Sequence, residues 1–86
     1  MQVSIRLFGA FRELHDRDQV DVTVPDGGTL DDVRDALCAY ADAHWPAFAP
    51  GLLQRSAFAS DEAFLHRHSP IPSDGRLALV PPVSGG

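Results

Sequence analysis

The chain has 86 residues, a formal net charge of −5 at pH 7 and an isoelectric point near 5.0. A chain of this length makes one domain around one small core, too small to house a buried active site of its own, so it reads as a module that works with other proteins. Its acidity argues against nucleic acid and anionic membranes as partners, since both are held by clustered basic side chains.

Residues 2–9 alternate, with Val3, Ile5 and Leu7 on one face and Gln2, Ser4, Arg6 and Phe8 on the other, the period of a half-buried strand. Polar residues from His15 to Asp18 predict a turn, and Val20, Val22 and Val24 then alternate in a second strand, giving a hairpin. Pro25-Asp26-Gly27-Gly28 stops it. Thr29 stands as N-cap of the next element with Asp32 three residues on, a capping box with aspartate in place of Glu or Gln. The helix is predicted from Leu30 to Ala43, with Leu30, Val33, Leu37 and Tyr40 or Ala41 on one stripe. Trp45-Pro46 ends it, and 47–53 reads as an irregular link with a turn at Pro50-Gly51. A third strand is expected from Gln54 to Ala59 and a fourth from Ala63 to His66. A loop over 68–73, a turn at Asp74-Gly75 and a last strand from Arg76 to Val80 follow, with Leu77 and Leu79 facing one way and Ala78 and Val80 the other.

After that strand come Pro81-Pro82-Val83-Ser84-Gly85-Gly86. Two prolines fix their own φ near the extended value and push the residue before each away from helix, so the chain leaves the strand stiffly. The four residues beyond Pro82 reach at most about 13–14 Å when extended. Gly85 and Gly86 lack a Cβ and can thread a channel that side chains would block. The Gly86 carboxylate is therefore the candidate reactive group, with residues 1–80 as its scaffold and 81–86 as a projecting tail.

Other residues receive plainer readings. Asp31, Asp32 and Asp35 lie in the first turns of the helix, where the macrodipole favours carboxylates without any metal. His66 and His68 would share a face of a strand, but no third ligand accompanies them and no zinc site is assigned. His15 and His44 read as solvated loop or helix-end residues. Cys38 falls beside Leu37 inside the helix and reads as a small packed hydrophobe. As the single cysteine it excludes an internal disulfide, and no apolar run approaches the roughly 20 residues of a membrane span, so a cytoplasmic protein is expected. All seven cationic side chains are arginine. With no lysine, the chain offers no ε-amine for an isopeptide bond, and any conjugation must proceed through its own C-terminus. Strand parity puts Phe8 and Val80 opposite the core residues of their strands. If those strands are neighbours, the two make an exposed apolar patch beneath the tail.

A Gly-Gly terminus alone is weak, arising about once in 200 chains at average glycine usage. The full ending, together with Leu7-Phe8-Gly9-Ala10-Phe11-Arg12-Glu13-Leu14, Thr29, Trp45 and Asp74-Gly75, resembles the ubiquitin-like sulfur carriers, above all the small subunit of molybdopterin synthase with its Pro-Pro-Val-x-Gly-Gly terminus. The order of elements is that of a β-grasp (ubiquitin-like) α+β fold, a mixed sheet on one main helix. The resemblance supplies the strand order, placing the first and last strands parallel and adjacent in the middle of the sheet. It also implies that Phe8, Phe64 and Val80 dock onto a large synthase subunit in a heterotetramer, Val80 being a smaller anchor than the aromatic usual in the family.

The chemistry implied by the resemblance starts from the fact that a carboxylate is a poor electrophile. A ubiquitin-activating-type adenylating enzyme uses ATP to join Gly86 to AMP. A persulfide donor then replaces AMP and leaves a thiocarboxylate, a terminal 1-thioglycine. In the synthase, this group gives its sulfur to cyclic pyranopterin monophosphate, building the dithiolene of the molybdenum cofactor. The chain is then a co-substrate that binds no cofactor or metal of its own and performs no catalysis alone. Alternatives are a carrier for thiamine, cysteine or tRNA thiolation, a protein modifier conjugated through Gly86, and a β-grasp interaction module with no transfer chemistry.

Overall fold

Strand β1 (Gln2–Leu7) and strand β2 (Gln19–Thr23) form an antiparallel hairpin, Ile5 opposite Val20 and Val3 opposite Val22. The computed structural model describes residues 1–81 apart from 47 and 49. Pairing by alternate residues sends Val3, Ile5, Leu7, Val20 and Val22 to one face, where all are buried. Beyond Thr23 the Met1 ammonium donates to the Val24 carbonyl at 2.6 Å and lies 2.9 Å from the Asp26 carboxylate, which it holds below the usual carboxylate range.

Helix α1 (Ala10–Leu14), absent from the sequence reading, fills the first half of the hairpin connection and buries Phe11 completely. Five residues are too few to show a helical period, which is why composition alone did not reveal it. Pro25 to Gly28 then makes a turn in which Gly27 has φ 77° and the Gly28 N–H donates to the Pro25 carbonyl at 3.2 Å.

Helix α2 (Leu30–His44) starts where the capping box predicts, with the Thr29 N–H donating to the Asp32 carboxylate at 2.9 Å. Its next two N–H groups are also used: Leu30 donates to the Ser69 carbonyl at 3.0 Å and Asp31 to the Arg67 carbonyl at 2.9 Å. A later loop thereby satisfies donors that a helix start leaves open. Leu30, Val33, Leu37 and Ala41 recur at intervals of three and four and are all buried against the sheet. Each buried aliphatic side chain of Val or Leu size stabilises by about 1.5–3 kcal/mol.

Trp45 follows α2 with its N–H on the Ala41 carbonyl at 2.8 Å. Its indole Nε1–H donates to His15 Nδ1 at 3.1 Å, and His15 packs edge-on against both Trp45 and Tyr40. The expectation of a solvated His15 is thus corrected, because a buried indole needs an acceptor and His15 supplies it. His44 is exposed as expected and lies against the Tyr40 ring.

Downstream, the expected irregular link contains helix α3 (Pro50–Gln54), with proline at its first position. Arg34 of α2 donates to the Leu53 carbonyl at 2.6 Å, and its guanidinium carbon lies 5.3 Å from the Phe58 ring centroid. Turn bonds through Arg55 and Ser56 shorten the third strand, so β3 spans Ala57–Ala59 and not Gln54–Ala59. Strand β4 is only Phe64–Leu65. His66 and His68 therefore do not share a strand face: the Ser69 N–H donates to the His66 carbonyl at 2.9 Å, Ser69 Oγ accepts from the His66 N–H at 3.1 Å, and His68 lies on the intervening turn.

Strand β5 (Arg76–Val80) completes a sheet ordered β2-β1-β5-β3-β4. It runs parallel to β1 and antiparallel to β3, the β-grasp arrangement. Among the described residues no helix is long and apolar enough to cross a membrane.

Candidate functional site

Central placement of β5 decides where the chain leaves the sheet. The strand is paired with β1 as far as Leu79 and with β3 as far as Val80, which lies opposite Ala57. Pro81 follows, half-buried. Its seat is Gly9, with φ 57° and ψ −128°, a conformation that residues with a side chain rarely adopt. A Cβ on Gly9 would stand 2.8 Å from Pro81 Cγ, so the bare backbone at the β1–α1 turn is what lets the proline ring lie down there. The turn thereby holds the chain at the point where it leaves β5. The candidate residues Pro82, Val83, Ser84, Gly85 and Gly86 lie outside the described residues.

The outer face of the sheet, away from α2, carries the other candidates. Leu7 pairs with Leu79, so Phe8 comes off the end of β1 beside Val80. Ala59 pairs with Ala78 on one side and with Phe64 on the other. Phe64 is 70% exposed and Phe8 44% exposed, whereas Val80 is half-buried between them. At a strand spacing of about 4.8 Å, β4 lies about 14 Å from β1 across two intervening strands. Two aromatic side chains thus bound a floor of Ala57, Ala59, Ala78 and Val80. An open groove of about 570 Å³ runs along this face, lined by Phe8, Ala59 and Ala78 together with Ser4, Arg6, Ser60, Asp61 and Arg76. Exposed aromatics over small residues form a surface that gains by being covered.

Among the described residues no nucleophile and base are paired beside this groove. Cys38 sits on α2, partly buried against the core on the opposite side of the sheet. Burial, then the carboxylates of Asp42 and Asp35, push its thiol above the ordinary value, with Arg34 opposing weakly. The thiolate fraction near neutral pH is reduced accordingly, and with it nucleophilicity. Alkylation of Cys38 by iodoacetamide at pH 7.5 is expected to run slower than that of free cysteine and to accelerate in an Asp35→Asn/Asp42→Asn variant. An unchanged rate in that variant would remove the carboxylates as the cause. Among the described residues no group of three or more His, Cys, Asp or Glu side chains is placed to hold a metal ion.

A family model described as ThiS matches residues 5–86. The chain belongs to the ThiS family. ThiS-family proteins are small ubiquitin-like sulfur carriers, generally without catalysis of their own, that work with an adenylating enzyme and partner subunits. Among solved structures, the crystal structure of SAMP1 from Haloferax volcanii is 26% identical with a TM-score of 0.75, each chain being covered in full. A crystal structure of H. volcanii small archaeal modifier protein 1 aligns over 95% of this chain and 98% of its own at 22% identity and a TM-score of 0.69, a likeness of fold. Among curated proteins no match was found.

Sequence reasoning overlooked Gly9, Phe11 and Arg34. The first two lie within the eight-residue stretch that carried the resemblance, where a glycine directly after a strand was the available signal. Arg34 gave none, because its roles come from α3 and β3 meeting α2 in three dimensions.

Proposed function

We propose that this ThiS-family chain carries sulfur on its C-terminal glycine for molybdopterin synthesis. Gly86 is joined to AMP by the adenylating partner, with pyrophosphate released. The outer sulfur of a persulfide then displaces AMP, and a thiol opens the resulting acyl disulfide to leave the thiocarboxylate and a new disulfide. The sulfur acceptor is cyclic pyranopterin monophosphate, held in the large subunit of molybdopterin synthase, with the outer sheet face that carries Phe8, Phe64 and Val80 as the docking face. The observation that carries the reading is the family match running through residue 86, so that it includes the Pro-Pro-Val-Ser-Gly-Gly ending together with the domain. The seat of Pro81 on Gly9 supports it, because a fixed root gives a thin tail a defined starting direction.

A second reading is a protein modifier that forms isopeptide bonds through Gly86, favoured by the similarity to SAMP1. Because the chain has no lysine, such a modifier would build no chains of itself through lysine.

Incubation with ATP, an adenylating enzyme and a persulfide donor is expected to raise the intact mass by one oxygen-to-sulfur exchange. Deletion of Gly86 should abolish the gain and leave thermal unfolding unchanged. Sulfur uptake by the truncated chain would move the reactive atom elsewhere. Loss of the added mass to cyclic pyranopterin monophosphate in the presence of the large subunit supports the synthase role, and slower-migrating conjugates in place of that transfer support the modifier.

A further inference from the structure

The chain contains no asparagine, and aspartate is followed by glycine in it twice, at Asp26-Gly27 and Asp74-Gly75. An aspartate in that setting is open to attack on its side-chain carbon by the next backbone nitrogen, because glycine has no Cβ to screen that nitrogen. Ring closure needs a side chain free to swing, an N–H free to lose its proton and room for the backbone to turn. The fold treats the two steps oppositely. At the second, Asp74 Oδ1 accepts from the Arg76 N–H at 3.0 Å, and the Gly75 N–H donates to the Pro72 carbonyl at 3.0 Å. Gly75 is buried, and its carbonyl is held by the Ser4 N–H at 2.7 Å. At the first, the Asp26 side chain is 91% exposed, Gly27 is exposed, and nothing lies within 4 Å of where a Cβ on Gly27 would stand. Among the described residues the Gly27 N–H has no hydrogen-bond partner. The Asp26 carboxylate has one, the Met1 ammonium at 2.9 Å, and an ion pair so exposed is weakly held.

We infer that Asp26-Gly27 is a modification site, where the chain passes through a cyclic imide to isoaspartate, while the fold keeps Asp74-Gly75 intact. The Gly27 nitrogen bonds to Asp26 Cγ, the carboxyl C–OH bond breaks, and the hydroxyl leaves as water with the proton from nitrogen. Water then opens the imide at either carbonyl. Opening at the side-chain carbonyl restores aspartate, whereas opening at the main-chain carbonyl leaves the peptide running through Cγ, with one more methylene in the backbone. No co-reactant besides water takes part, and the chemistry is independent of the carrier reading above. The Met1 ammonium slows ring closure, because it favours the ionised carboxylate, which expels oxygen poorly. With nothing packed against Gly27, the turn can yield to the imide without moving β2 or α2. The product draws the charge off the Met1 ammonium and lengthens the turn in which the Gly28 N–H donates to the Pro25 carbonyl at 3.2 Å. The change thus falls between two core elements and in neither of them.

The test is prolonged incubation of the full folded chain at neutral pH in water enriched in heavy oxygen, followed by trypsin digestion in ordinary water. Cleavage after Arg17 and Arg34 isolates 18–34 with the first step, and cleavage after Arg67 and Arg76 isolates 68–76 with the second. Each passage through the imide replaces one carboxyl oxygen by a solvent oxygen, which mass spectrometry reads, and isoaspartate separates from aspartate by chromatography at equal mass. In the folded chain, uptake in 18–34 is expected to exceed that in 68–76 by about tenfold or more, since ring closure at Asp74 has to wait for local opening. In guanidinium chloride the difference should vanish. In Asp26→Glu, whose longer side chain would have to close a larger ring, uptake in 18–34 should be lost while that in 68–76 stays. Equal uptake at the two steps in the folded chain, or faster uptake at Asp74, would overturn the inference. So would a difference that persists in the unfolded chain, because it would then come from neighbouring residues and not from the fold. No uptake at Asp26 over a time in which the unfolded chain exchanges would discard the site, and uptake surviving in Asp26→Glu would place the reactive aspartate elsewhere in the segment.

Discussion

Phe58→Ala is expected to cost about 3–5 kcal/mol, the range for emptying a buried aromatic site. Phe58 is 1% exposed, belongs to a strand of only three residues, and is covered on one side by the Arg34 guanidinium. Neighbouring side chains on β5 and α2 are held by their own elements and cannot collapse fully into the space. With total stability of about 5–15 kcal/mol for a domain of ordinary stability, such a loss leaves little margin. At about 4–8 °C per kcal/mol for a domain of this size, the unfolding midpoint should fall by at least 12 °C. Urea denaturation followed by circular dichroism checks this: the midpoint should drop with the slope unchanged, and a loss under about 1 kcal/mol would mean that Phe58 is not central to the core.

The second large effect is expected at Gly75. Its φ is 68°, and a Cβ there would stand 2.8 Å from the Gln2 carbonyl oxygen, a backbone atom of β1 that cannot swing aside. The adjoining Gly75 carbonyl accepts from the Ser4 N–H at 2.7 Å, so any retreat disturbs the start of the β1–β5 ladder. Gly75→Ala therefore combines left-handed strain with a backbone collision, each on the order of 1–3 kcal/mol. Gly27 provides the internal comparison, with φ 77° and nothing within 4 Å of the position its Cβ would take. Gly27→Ala should show only the strain, about 1–2 kcal/mol. If the two substitutions cost the same by chemical denaturation, the close approach at Gly75 carries no weight.

The strands and the main helix were legible where a repeated pattern met a clear stop. Val3, Ile5 and Leu7, then Val20 and Val22, alternate without interruption, and Thr29 with Asp32 marks the helix start. Leu77 and Leu79 likewise marked the inward face of β5. Short elements escaped. A helix of five residues such as α1 or α3 makes barely more than one turn, and β4 holds two residues, too few for any period to declare itself. His15 could not be read correctly either, because its partner Trp45 is thirty residues away and arrives only when α2 packs. Parity gave the outward direction of Phe8 and Val80 from residues alone. Their adjacency came from the resemblance, since periodicity cannot order strands.

The bonding of β5 on both sides has a mechanical consequence. A pull on the C-terminus acts along the strand axis, with β1 beside it running in the same direction. For such a load against the start of the chain, the bonds between the two strands lie across the line of force and must yield together in shear, whereas a hairpin opened from its ends parts one bond at a time. A handling machine that grips the last residues would thus draw against the strongest direction of the sheet, and the domain should hold its shape while its end is being worked on.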